Sequence, residues 1–145
     1  MDLVARKLRL NEGRALGRFM TLVEDFCEAH GTQLPACTVP LQQALRDLEQ
    51  ATGYLLESND LHTSGAAAVD YLHLTALVAF GLQWAKMALL ANKHLAESDD
   101  STGFYRAKQL TARFFFERIL PQTAIHLHRV RAGAQVLSAF DPEQF

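Results

Sequence analysis

Cysteine is scarce in this sequence, which has only Cys27 and Cys37 among its 145 residues. Two thiols are too few for a disulfide scaffold or for a zinc site built from cysteine alone. Positive charge is not in excess either, because 14 Lys and Arg stand against 16 Asp and Glu, for a net charge of −2. No polybasic run occurs, so the composition argues against a nucleic-acid-binding or anionic-membrane-binding surface.

Strand signals and export signals are poor as well. No alternating β-branched run is bounded by a hairpin turn, and the N-terminus has no apolar core of signal-peptide length. The most apolar stretch, 65–91, is interrupted by Asp70 and Lys86 with about fifteen residues between them, short of the roughly 20 that a membrane span needs. We therefore expect a buried helix in a soluble protein with a cytoplasmic location.

What the sequence does have is the composition of one globular domain, with 49% hydrophobic and 21% charged residues. Apolar residues recur at intervals of three and four, the spacing of one helix face, so helices separated by polar loops are predicted. The predicted helices cover 12–29, 41–57, 66–96, 104–120 and 122–137, and the loops cover 32–40, 58–64 and 97–103.

The last two helical stretches are interpreted as one interrupted helix. Pro121 lacks a backbone donor and clashes with the preceding turn, so we expect a kink or a short break near Leu120. The sequence thus predicts a single all-α domain over 1–145, an antiparallel four-helix bundle with a Pro-kinked or broken last helix. The bundle is expected to occupy 12–140 after a joining segment over 1–11, with a loose tail over 141–145.

The third predicted helix is apolar on almost every side, which indicates contact with its bundle mates and with something further. Residues that share a helix face define the apolar stripes of this helix and of the two that follow it. The main stripe of the third helix is Val69, Leu72, Ala76, Phe80, Trp84, Met87 and Ala91, that of the fourth is Ala107, Leu110, Thr111, Phe114, Phe115 and Ile119, and the candidate core of the fifth is Ile125, Leu127, Val130, Ala134 and Leu137.

Metal chemistry has little support in the sequence. A di-metal carboxylate site in a helical bundle needs two Glu-x-x-His pairs, and the nearest motif is the single pair of Asp70 and His73. His126 and His128 are two apart, which places them on different sides of a helix, so a partly exposed polar face is the favoured interpretation. No metal ligand is therefore predicted.

Nucleophilic and nucleotide-binding motifs are also missing. Cys27 lies on the apolar stripe of the first helix and is predicted to be a core residue, whereas Cys37 is expected to be exposed in a loop. No Gly-x-Gly-x-x-Gly, Walker loop or Gly-x-Ser-x-Gly elbow occurs. A pocket that uses Asp70, His73 and Lys86 is an open hypothesis, and it ranks last because about four turns separate Asp70 from Lys86.

Aromatic residues suggest a contact surface instead. Phe116 is expected to point away from Phe114 and Phe115 on the helix, and thus toward a partner. Together with Tyr105, Phe116 is the candidate interface, while no catalytic, cofactor-binding or metal residue is assigned.

The second half of the chain resembles one family. The segments that carry the resemblance are short blocks in a fixed order, preceded by a similar joining segment at 2–8. They are 68–74 (AVDYLHL), 81–88 (GLQWAKMA), 104–108 (FYRAK), 111–115 (TARFF), 118–123 (RILPQT) and 131–134 (RAGA). Their order is similar to the C-terminal helical domain of acyl-CoA dehydrogenases of the 3-methylmercaptopropionyl-CoA dehydrogenase-like subgroup.

The resemblance implies an accessory or assembly domain of a flavoenzyme of fatty acid metabolism. The parent reaction would be the FAD-dependent α,β-dehydrogenation of an acyl-CoA, with a glutamate as base in a Tyr-Glu-Gly-Thr-like motif. That motif is not in this sequence, so the base and the flavin cradle are expected upstream of Met1 and the chain is expected to be inert alone. The implied partner is the catalytic body or a second copy, with no nucleic acid and no membrane. The alternative is a stand-alone helical protein-interaction module that has lost its catalytic body, with a homodimer as one form that it can take.

Overall fold

The computed structural model describes Val4, Leu8, residues 13–58, 60–97 and 100–140, and Glu143. Within these residues every regular element is helical, as the sequence predicts. The elements are α1 (Arg14–His30), α2 (Pro35–Ser58), α3 (Leu61–Glu97), α4 (Phe104–Phe114), a π-helical turn (Phe115–Ile119), a 3-10 turn (Leu120–Gln122), α5 (Thr123–Arg131) and α6 (Gln135–Ser138). The joining segment and the tail predicted at the two ends lie almost wholly outside the described residues.

Helix α1 matches its prediction closely. It follows Gly13, whose φ of 73° is in the left-handed region that glycine adopts without strain. Val23, Phe26 and Cys27 are buried on one face, as the spacing predicts. The burial of Cys27 confirms that it is a core residue.

The loop predicted over 32–40 is wrong, because α2 begins at Pro35. Proline at the first helical position costs nothing, since the N–H that it lacks would have no partner there. Pro40 also lies inside the helix, near its start. The Thr38 hydroxyl donates to the Leu34 carbonyl at 3.1 Å and secures this first turn, so Cys37 is helical and buried rather than exposed in a loop.

The loop predicted over 58–64 is also too long. Helix α3 begins at Leu61, and Asp60 caps it, accepting hydrogen bonds from the backbone N–H groups of His62 at 3.2 Å and Thr63 at 2.8 Å. These bonds, led by the one from Thr63, hold the pKa of the Asp60 carboxyl below its usual value. The negative charge lies at the positive end of the α3 dipole, which explains why the helix starts here.

Helix α3 is the central element and packs against α2, α4 and α5. A side chain at Gly81 would place its Cβ 2.8 Å from Leu41 Cδ1, so glycine allows α2 to approach closely here. Farther along the same pair of helices, the hydroxyls of Thr52 and Tyr71 are hydrogen-bonded at 2.8 Å. The two contacts occur in opposite order along α2 and α3, which is consistent with the predicted antiparallel bundle.

The break predicted near Leu120 is confirmed in position. The π-helical turn ends where the Leu120 N–H bonds to the Phe115 carbonyl, five residues back, and the 3-10 turn with Pro121 follows. The continuous helix predicted over 122–137 is wrong, because α5 ends at Arg131 and Gly133 has a φ of 66°. A left-handed glycine just beyond a helix is a common termination signal. Leu137, a candidate core residue beyond this end, is exposed, and so is Ile125, another candidate core residue, on the outward face of α5.

Candidate functional site

Helix α3 presents apolar side chains on two opposite faces. The inner face includes Leu74, Val78 and Leu82, which are fully buried. The opposite face contains most of the stripe that the periodicity marks as the main one, although Trp84 and Ala91 turn inward. We call this face the outer stripe, and at 3.6 residues per turn it spans an arc of about 100° around the helix. It consists of Val69, Leu72, His73, Ala76, Phe80, Gln83, Met87 and Leu90.

Six of the eight residues of the outer stripe are apolar, the other two are His73 and Gln83, and none is Asp, Glu, Lys or Arg. Val69, Leu72, Phe80 and Leu90 are all exposed by more than half. Asp70 and Lys86, which flank the stripe, are only half-buried. An exposed apolar row of this kind makes the outer stripe a candidate interaction surface.

One side of the outer stripe meets α5 at a cluster of polar residues. Asp70 accepts a hydrogen bond from His126 Nδ1 at 2.7 Å, and Arg129 Nη1 lies 3.5 Å from the same carboxylate oxygen. The ring of His73 lies edge-on to that of His126, with centroids 5.2 Å apart. Beside these rings lies an open cavity of about 270 Å³, whose lining includes Phe80 and Gln122.

The expected polar face of α5 is therefore only half right. His126 is buried and hydrogen-bonded to Asp70, whereas His128 is exposed. Their different burial agrees with the prediction that two positions two apart lie on different sides of a helix. Sequence spacing missed the pair of Asp70 and His126 because its members are 56 residues apart.

The start of α4 lies beside the other end of the outer stripe, near Met87 and Leu90. Tyr105, one of the two predicted interface residues, is half-buried there and stacks on His94 with ring centroids 4.5 Å apart. Lys108 Nζ lies 5.2 Å from the centre of the Phe104 ring, a cation–π contact. A cavity of about 280 Å³ opens between these residues and Leu90. Tyr105 thus lies beside the outer stripe, within reach of a partner that covers it.

Phe116, the second predicted interface residue, does not point outward. It is only 4% exposed and contacts Phe115 with ring centroids 5.7 Å apart. The π-helical turn is the physical reason, because a bond to the fifth residue shifts the register and brings both rings inward. Phe114, at 58% exposure, is the member of the aromatic run that faces outward.

A groove of about 490 Å³ lies between α2, α3 and α4. Its lining includes the buried Cys37 and, at the rim, Arg113 paired with Glu117 at 2.6 Å. Burial raises the pKa of the Cys37 thiol, and it raises that of Cys27 to about 11. Because the thiolate is the nucleophilic form, neither thiol is suited to covalent catalysis.

Joint chemistry by Asp70, His73 and Lys86 gains no support from the geometry. Asp70 is engaged by His126 and Arg129, and 16 residues of helix place Lys86 about 24 Å along the axis. Among the described residues no group of three or more His, Cys, Asp or Glu side chains is arranged to hold a metal ion.

Among the described helices, α3 is the one that is long enough and apolar enough to cross a membrane. The core helix of a folded domain has the same properties, so this observation by itself is weak evidence for a membrane span.

A comparison with known families finds one match. The family model described as acetyl-CoA dehydrogenase C-terminal like matches residues 19–141 of this chain. The matched range contains α2, α3, α4 and α5 in full, and with them the outer stripe and both of its flanking cavities. No curated protein is similar enough to this chain to count as a match.

Proposed function

Because this chain belongs to the acetyl-CoA dehydrogenase C-terminal-like family, we propose that it is the helical accessory domain of an acyl-CoA dehydrogenase-like flavoenzyme. Its role in that enzyme is assembly, either on the catalytic body or on a neighbouring subunit. The parent reaction is the α,β-dehydrogenation of an acyl-CoA, and the parent belongs to the 3-methylmercaptopropionyl-CoA dehydrogenase-like subgroup. The observation that carries the proposal is the family match over 123 of the 145 residues, from 19 to 141.

The described residues do not fit FAD. Its pyrophosphate is normally held by glycine-rich backbone or by a helix N-terminus, whereas the groove between α2, α3 and α4 has apolar side chains on most of its walls. Arg113, the cation in the lining of that cavity, is already paired with Glu117. We therefore place the flavin in the parent enzyme and give this chain no catalytic residue.

The inertness of the isolated chain is tested by incubation with FAD followed by gel filtration. We expect the chain to elute without flavin, since nothing described in it fits the cofactor. A stoichiometric yellow complex would contradict the accessory role and would indicate a flavin site within these 145 residues.

A second candidate is a stand-alone interaction module that forms a homodimer, and the exposed outer stripe favours it. An immunoblot of source-cell lysate with an antibody against the chain separates the two. A band several-fold heavier than 16.2 kDa supports the parent enzyme, whereas a band at 16.2 kDa with a dimer in light scattering supports the module. The cytoplasmic location belongs to the proposal as well, and two free thiols are compatible with it.

A further inference from the structure

The outer stripe of α3 has the chemistry of the centre of a permanent interface. We propose that this stripe is the surface by which the domain docks on the catalytic body, and that it meets a concave, apolar and uncharged surface there. This inference rests on the proposed function, because it takes the existence of a catalytic body from it.

The first argument is the charge of the stripe. Its eight positions carry no Asp, Glu, Lys or Arg, although such residues make up 21% of the chain. The centres of interfaces are depleted in charged residues and enriched in aromatic residues and methionine, and here Phe80 and Met87 occupy the stripe. A charged partner surface would lose its water against this stripe without gaining an ion pair, so the partner surface must be apolar as well.

The second argument concerns the shape of the partner. From Val69 to Leu90 the stripe is about 32 Å long, and a helix about 10 Å wide offers only about 300 Å². A stable interface needs about 800 Å² from each partner, so two copies that touch stripe to stripe are insufficient. A concave surface reaches the required area by also covering the two cavities next to the stripe, beside His73 toward one end and beside Tyr105 toward the other.

The third argument is the contrast with the outward face of α4. Leu110 and Phe114 are exposed there to a similar extent, but Arg106, Arg113 and Glu117 lie among them and are also exposed. Arg113 and Glu117 form a surface ion pair, which remains favourable in water and would be costly to bury. We therefore assign the α4 face to solvent and the outer stripe to the interface.

Phe80 and Phe114 offer a matched pair for the test, because they are the same residue type with exposures of 59% and 58%. The photoreactive analogue p-benzoylphenylalanine is placed at one position or the other in the protein as expressed in its source cell. After irradiation, cross-linked peptides are identified by mass spectrometry. We expect position 80 to give cross-links to peptides of the flavin-binding body, at least tenfold more than position 114.

Other outcomes overturn the inference. Cross-links to the body from position 114 alone, or from neither position, would show that another face docks while the proposed function stands. Cross-links from position 80 to Phe80 of a second copy, or to lipid, would show that the occupant is different. If the cell contains no flavin-binding body attached or bound to the chain, the proposed function itself fails.

Discussion

Leu72 and Leu74 provide a direct test of which face of α3 is inside the domain. They are the same residue type two positions apart on one helix, yet Leu74 is 0% exposed and Leu72 is 52% exposed. Leu74→Ala removes about three buried carbons, worth about 2.4 kcal/mol at 0.8 kcal/mol each, and leaves a cavity that adds to the loss. We expect a decrease of about 3 kcal/mol in the free energy of unfolding.

The Leu72→Ala variant is the matched control, because its side chain is largely in water in the isolated chain. We expect it to lose less than about 1 kcal/mol, since surface substitutions away from packed sites change stability little. Urea denaturation followed by circular dichroism gives both values, and the m-value should be the same for the two variants. In a chain of this size the Leu74→Ala loss corresponds to a decrease in Tm of roughly 6–12 °C.

Equal losses in the two variants, or a larger loss from Leu72→Ala, would refute the assignment of the inner and outer faces. The docking inference would fail with it, because the outer stripe would then be part of the domain core. The expected pattern reverses in the intact complex, where Leu72→Ala should weaken docking more than Leu74→Ala does.

Three further predictions concern the polar and thiol groups of the core. Thr123→Val removes the hydroxyl that donates to the buried Asp47 carboxylate at 2.7 Å, so urea denaturation should show a loss of about 1–3 kcal/mol. Asp70→Asn removes the charge of the carboxylate that His126 Nδ1 binds at 2.7 Å, and we expect a loss of about 1 kcal/mol by the same measurement. Burial raises the pKa of the Cys27 thiol from 9.0 to about 11. The stability that the neutral buried thiol contributes is therefore complete below pH 9 and is lost as the pH rises toward 11. In the Cys27→Ala variant, the free energy of unfolding should fall less steeply over that pH range.

Each of these changes has a control or a result that contradicts it. Thr111→Val removes an exposed hydroxyl that bonds only within α4, so it should cost much less than Thr123→Val. Asp25→Asn changes an exposed carboxyl of α1 and should have little effect beside Asp70→Asn. If stability falls just as steeply with pH in the Cys27→Ala variant, the prediction is contradicted, because the pKa of the Cys27 thiol would then be the same in the folded and unfolded chains.

Helix content was predictable because apolar spacing of three and four recurs along most of the chain. The start of α2 was not, since interpreting Pro35 as a loop residue ignores that the first N–H groups of a helix have no partner within the helix. Asp60 was the available signal for the start of α3, because an acidic residue ahead of an apolar run is a common helix cap.

The faces of the helices were harder to assign than the helices themselves. With apolar residues all around α3, spacing identifies two stripes but does not decide which one meets the core. That choice depends on contacts between distant residues, such as Leu41 against Gly81. In the same way, Phe116 turns inward only because the π-helical turn shifts the register, and a regular 3.6-residue wheel contains no such shift.

The most direct test of the accessory role is the flavin content of the native protein. An antibody against this chain captures that protein from source-cell lysate under non-denaturing conditions, and flavin is measured in the eluate. The account predicts about one FAD per copy of the chain, together with dehydrogenation of an added acyl-CoA. A captured protein of 16.2 kDa with no flavin, alone or as a dimer, would contradict it.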